Sequence, residues 1–172
     1  MACALTQGYT LDCRDSKGGV KEIYLIELEN ISSTTEASGV ITVLTKATGK
    51  RFWKYSLIKN TSNSEEAING SEENGTIFYT QTANIIINKL QTSVRNEILL
   101  LAKNRVVMVV TDRNGVSWMY GKENGLTLNA GSAATGTNFA DRNGYTLTFT
   151  GMEGSLAPSV LSTVVDALET PG

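Results

Sequence analysis

The tetrapeptide Asp-Arg-Asn-Gly occurs twice, at residues 112–115 and 141–144. Two acidic, glycine-ended segments raise two chemistries: the halves of a metal site, or a carboxylate pair for glycosidic acid–base work, with Asp12 and Asp15 as further acids. A calcium loop needs oxygen ligands at alternate positions and a closing Glu, and neither copy supplies them. Asn-Gly is instead a strong hairpin signal, because both residues accept positive φ, and an Asp ahead of it can accept from the turn's own amides. Asp112, Asn114, Gly115, Asp141, Asn143 and Gly144 are therefore expected to form turns, as are Asn124 and Gly125. Asn69-Gly70 and Asn74-Gly75 complete the Asn-Gly pairs.

Other routes to chemistry close quickly. The chain has no histidine, which excludes a Ser-His-Asp triad, a Cys-His pair and a histidine metal ligand. Cys3 and Cys13 are too few for a four-thiolate zinc site and are expected as buried or partly buried thiols in a reducing cytosol. Gly131 to Gly136 has the spacing of a phosphate loop, but Thr137 stands where the lysine belongs. No catalytic residue, metal site or cofactor is assigned, and the expectation is a protein that is not an enzyme. Trp53, Tyr55, Trp118 and Tyr120 could stack on a sugar; as alternate aromatics on strands they also fit core or subunit contacts, the preferred reading for Trp118.

The elements that would position these residues read mostly as strands. The 172 residues fit one domain, and an apolar fraction of 41% is enough for a packed core. Residues 20–31 alternate as a partly exposed strand; 39–44 and 51–59 read as a hairpin joined at 47–50, with Trp53, Tyr55 and Leu57 on one face. Residues 59–76 are polar and acidic and read as a loop, with Ile68 its one large apolar residue. A long strand over 76–90, bent or interrupted near Ala83, leads into the amphipathic spacing of Leu90, Val94, Ile98 and Leu101. That spacing predicts a helix over about 92–104, capped by Thr92 or Ser93. Residues 105–111 form a continuous apolar run, expected as a strand buried on both faces with the helix over one. Residues 129–138 read as a flexible small-residue stretch, 145–150 as a strand, and 155–172 as an arm, either extended or a short helix capped by Ser159.

Charge is low and nearly balanced, 15 basic against 17 acidic residues, with an isoelectric point near 5.2. A protein that grips nucleic acid by its phosphates would carry a basic excess on some element, and none is visible. The N-terminus lacks the pattern of a secretory signal and no run is long enough to span a bilayer, so a soluble protein made in a cytoplasm is expected.

Taken together, the long strand, the helix, the buried strand, VVTDRNGVSWMYGKENG and FADRNGYTLTFTGME resemble the tail tube proteins of tailed bacteriophages, nearest to those of Bacteroidetes phages, crAss-like phages among them. The opening CALTQGYTLDCRDSKGGVKEIYLIEL is similar too. The resemblance implies a mainly β fold, a β-sandwich or partly closed barrel with one flanking helix. It implies a virion subunit that forms rings with itself, a hexamer or a higher symmetry such as a dodecamer, in contact with other tail proteins and passing DNA without specific binding. Trp53, Tyr55, Glu65, Glu66 and Ile68 are the expected subunit contacts. The competing reading is an all-β module that binds a glycan or peptide through exposed aromatics.

Overall fold

The computed structural model describes residues 5, 7–10 and 13–172. The chain builds strands β1 (Val20–Glu27), β2 (Ile31–Ala37), β3 (Val40–Lys46), β4 (Trp53–Ser56), β5 (Asn63–Ser71) and β6 (Thr76–Asn88). Helix α1 (Thr92–Leu101) follows, then β7 (Val106–Asp112), β8 (Ser117–Tyr120), β9 (Thr127–Ala134), β10 (Gly144–Glu153), β11 (Ser159–Val160) and α2 (Ser162–Asp166). A large sheet runs β2-β3-β11-β8-β7-β1-β4 and a small one runs β5-β6-β10-β9. The protein is mainly β, a two-sheet sandwich with a flanking helix and no closed barrel.

The reason for stacking lies in β7. Val106 to Thr111 are buried on both faces, and so are Ile23 to Ile26 of its neighbour β1, so both sides of the large sheet need cover. On one side Ile23, Leu25, Met108 and Val110 meet Ile85, Leu147 and Phe149 of the small sheet. On the other, Tyr24, Ile26, Val107 and Val109 meet Ile41, Phe52, Val160 and Leu168. β1 is exposed only towards its ends, at Lys21 and in part at Glu22 and Glu27, and β7 is buried on both faces as expected, with the small sheet and the C-terminal segment as its main cover and the helix packed beside the small sheet on the first core. Helix α1 plugs the open side of the sandwich, its Val94, Ile98 and Leu101, with Leu90 just ahead of it, resting on the first core. Its N-cap is Gln91 and makes no side-chain cap bond, so neither Thr92 nor Ser93 plays that part.

Three further expectations give way to long-range pairing. Residues 59–76 hold β5, a nine-residue strand paired to β6 from Asn63↔Asn84 to Ser71↔Thr76, not a loop. Residues 129–134 belong to β9, paired to β10. The turn at 47–50 forms, with Lys50 N–H donating to the Ala47 carbonyl, yet β3 and β4 do not pair. The C-terminus takes the bonds such a hairpin would need: Gly49 N–H donates to Gly172, Gly172 N–H to Lys50, and Phe52 N–H to Leu168. The tail is thus a built part of the large sheet, with β11 parallel to β3 and antiparallel to β8. Leu161, not Ser159, is the N-cap of α2. β6 is continuous through Ala83, which is fully buried.

Candidate functional site

The two Asp-Arg-Asn-Gly copies do different work. At the first, Asp112 accepts from the N–H groups of Asn114 (2.8 Å) and Val116 (3.0 Å), and Gly115 sits at φ 86°, closing the β7–β8 hairpin. This is a type I turn followed by a left-handed glycine, so Asn114 keeps negative φ, against expectation. Its side chain instead clamps the N-terminal segment, accepting from Lys17 N–H and donating to the Lys17 carbonyl. At the second copy, Asp141 accepts from Thr137 and Asn138 N–H in the loop before β10, bonds that hold its carboxyl below the usual range. Asn143 accepts from Leu90 N–H, tying that loop to the start of α1. Gly144 has no positive φ and turns nothing; it is the first residue of β10, where a Cβ would collide with the Ile87 carbonyl oxygen. Asn124 and Gly125 form a bend, Gly125 at φ 78°, held by Glu153 accepting from Glu123 and Asn124 N–H. Asp112, at the end of β7, and Asp141, in the loop before β10, are each spent on their own local backbone. Among the described residues no cluster of three acidic or thiol side chains is placed to hold a metal; Asp12 and Cys3 lie outside those residues, and Cys13 is exposed, contrary to the buried thiol expected.

Among the described residues both edges of the small sheet, β5 and β9, are open. The β5–β6 hairpin runs past the end of β10, whose last pairing is Glu153↔Tyr79, so its tip overhangs the sandwich. Ile68, level with Glu153 at the root of the overhang, is 64% exposed, and Ile77 on the overhang 62%, both on the side facing the core. At the opposite edge, α1 stands over β9 and leaves a groove of 610 Å³ between Ile98 and Leu99 on the helix and Leu128 to Ala133 on the strand. The outward face of this sheet is rich in hydroxyls: Thr80, Thr82, Thr146, Thr148 and Thr150 share it with Glu65. Its four strands contain no Lys or Arg, and their other charged residues, Glu66 and Glu153, point inward, while Arg142 from the loop before β10 donates to Thr146 Oγ1 on the outward face.

The remaining expected contacts separate. Glu66 is engaged within the chain: its Oε1 accepts from Gln81 Nε2 (2.8 Å) and Ala157 N–H (2.7 Å), while Gln81 Oε1 accepts from Gly121 N–H (2.8 Å). That chain of bonds ties edge strand β5 to the segment before β11. Tyr55 packs on the sandwich core, and burial, with Glu97 nearby, pushes its hydroxyl pKa up. Trp53, on the edge strand β4, is exposed, but the Arg51 guanidinium lies 4.2 Å from its ring centre and covers one face. Trp118 is more than a third exposed, so it is not a core residue. The groove and the overhang escape the sequence because β5 buries too little to show an alternating pattern and β9 is almost all small residues; only the period-two placing of Ser64, Glu66 and Ile68 hints at a strand.

Among the described residues no helix is long and apolar enough to cross a membrane. The chain matches no family model, no curated protein and no solved structure.

Proposed function

We propose that this chain is a structural virion protein, a ring-forming subunit of a phage tail tube or tail barrel, whose small sheet joins edge to edge with copies of itself around a DNA conduit. The observation that carries the reading is the stagger of the two open edges. The four strands alternate in direction, so β5 of one copy meets β9 of the next antiparallel and the up-down order continues. The middle of β5, Ala67, lies level with Thr80 and hence with Met152, whereas Ala130, in the middle of β9, lies level with Thr148 on the same outward face, four residues away along β10. Four residues at ~3.4 Å each give an offset of ~14 Å, against ~19 Å across four strands spaced ~4.8 Å apart. Edges that meet level therefore tilt the strands by ~35°, at the lower end of the ~35–45° that closed barrels adopt. Six copies close a barrel of ~45 Å backbone diameter at that tilt, and twelve one twice as wide.

Closure also decides the lumen. The large sheet occupies the inner side of the small one, so the threonine-rich face is the side that can line a channel. The strands of that face bear no lysine or arginine, and Arg142, from the loop before β10, donates to Thr146 Oγ1 there, so the lining offers phosphate little to hold, which suits passage over binding. The edges themselves favour pairing: an open strand exposes unpaired N–H and C=O groups, and a ring removes both edges at once. For a glycan platform, by contrast, Trp53 has one face already taken by Arg51.

The test is negative-stain electron microscopy of the full chain over a concentration series, with mass by light scattering. Rings or tubes are the expected result, and counting subunits gives the symmetry. A protein that stays at 18.5 kDa at every concentration and salt overturns the reading.

A further inference from the structure

Resting on that ring reading, we infer that the overhanging β5–β6 hairpin of one copy docks along the α1–β9 edge of the next, with Ile68 in the neighbour's groove and Glu72 and Glu73 beside its Lys103 and Arg105. Three observations point to this one occupant. The first is facing: Ile68 lies on the core-side face of β5, the same face of a continued sheet on which the groove opens beside β9. Residues on that face of antiparallel neighbours stand side by side, and with Ala67 level with Ala130, both outward, Ile68 comes over the groove floor near Leu128 and Gly131. Gly131 contributes no side chain there, and the groove volume is ample for one isoleucine.

The second observation is charge. Because β5 runs antiparallel to the neighbour's β9, the hairpin tip reaches the beginning of that strand. Val106 bridges Leu126 there, and the Arg105 Cβ lies 3.0 Å from where a Cβ on Gly125 would stand, so the basic pair Lys103 and Arg105 sits at that corner. Glu27 and Glu29 share the corner without pairing with either; the ion pairs among the described residues are Lys54–Glu22 and Lys122–Glu36. Glu72 and Glu73 at the tip likewise have no ion pair. The third is exposure: Ile77 stands open on a two-stranded projection and Ile68 at its root, and Leu99 is 55% exposed at the rim of the groove that would receive Ile68. An apolar projection and an apolar groove at opposite edges of one sheet make a heterologous contact, the kind that closes rings.

The test uses the full chain with Cys3→Ser and Cys13→Ser as background. Reversing the tip (Glu72→Lys with Glu73→Lys) and reversing the corner (Lys103→Glu with Arg105→Glu) are each expected to raise the concentration at half-assembly by about tenfold or more. Combining all four is expected to bring it back towards the starting value, with monomer circular dichroism unchanged throughout. A short bis-maleimide should join Ile68→Cys of one chain to Leu99→Cys of another. If rings form but the four-fold variant is as impaired as the two reversals added together, or no cross-link appears, the docking is wrong and the ring reading survives. If the unmodified chain forms no ring, both fall.

Discussion

Gly121 and Gly115 both sit at positive φ, 70° and 86°, yet alanine should treat them very differently. At Gly115 nothing lies within 4 Å of the added Cβ, so the penalty is the left-handed backbone alone, about 1–2 kcal/mol. At Gly121 the Cβ would stand 2.8 Å from the Leu126 nitrogen and 3.0 Å from the Gly125 carbonyl carbon. Those are backbone atoms of a segment anchored by the Val106 to Leu126 bridge, and Leu126 is fully buried, so they cannot swing aside as a flexible side chain would. Overpacking of this kind adds about 1–3 kcal/mol, for about 2–5 in all. The Gly121 N–H, which donates to Gln81, is also displaced, so the edge-strand network loosens with it. Urea denaturation of dilute, unassembled protein reads the difference. With a slope of about 2 kcal/mol/M, Gly115→Ala should lower the midpoint by about 0.5–1 M and Gly121→Ala by about 1–2.5 M, the slope itself unchanged. Equal shifts, or a larger one at Gly115, would refute the reasoning that contact with fixed backbone, not φ alone, sets the cost.

Phe149→Ala empties a fully buried site between the sheets and should cost about 3–5 kcal/mol, whereas Met152→Ala on the same strand, 60% exposed, should stay within about 0.5 in the unassembled chain; thermal unfolding of both checks this. Glu22 is pulled two ways, burial raising its pKa and hydrogen bonds from Lys54 and Tyr24 outweighing burial, so the folded value lies below 4.5. Its contribution is therefore present above 4.5 and lost as pH falls through the folded value, and the stability gap between wild type and Glu22→Gln should close in that acidic window; a gap constant with pH contradicts the pairing. Lys46 Nζ donates to the carbonyls of Ala167, Leu168 and Thr170, so Lys46→Met should make opening of residues 162–172 easier by about 1–2 kcal/mol, seen as faster amide exchange there and not in β6.

Local signals in the sequence were enough wherever a residue's own chemistry or a sustained period decides the outcome. The helix is an example: Val94, Ile98 and Leu101 share a face whatever they pack against, and they do lie on the core, as does Leu90 just before the helix. The Asp112 turn is another, because a carboxylate beside its own amides and a glycine free to take positive φ need no distant partner. The β-rich class follows from the same alternation.

Tertiary structure alone decided where a strand's partner comes from elsewhere in the chain. β5 is polar and acidic, and it is a strand because β6 offers it a complete ladder of hydrogen bonds. β9 is built of small residues and is held the same way by β10. The 47–50 turn matches its local signal, yet the hairpin is lost because Gly172 and Leu168 return from the far end of the chain to take its bonds. The second Asp-Arg-Asn-Gly spells the same letters as the first, but its glycine answers to the Ile87 carbonyl and not to a turn. Backbone hydrogen bonding between distant segments carries no side-chain code, so the two open edges and their stagger exist only once the sheet is assembled.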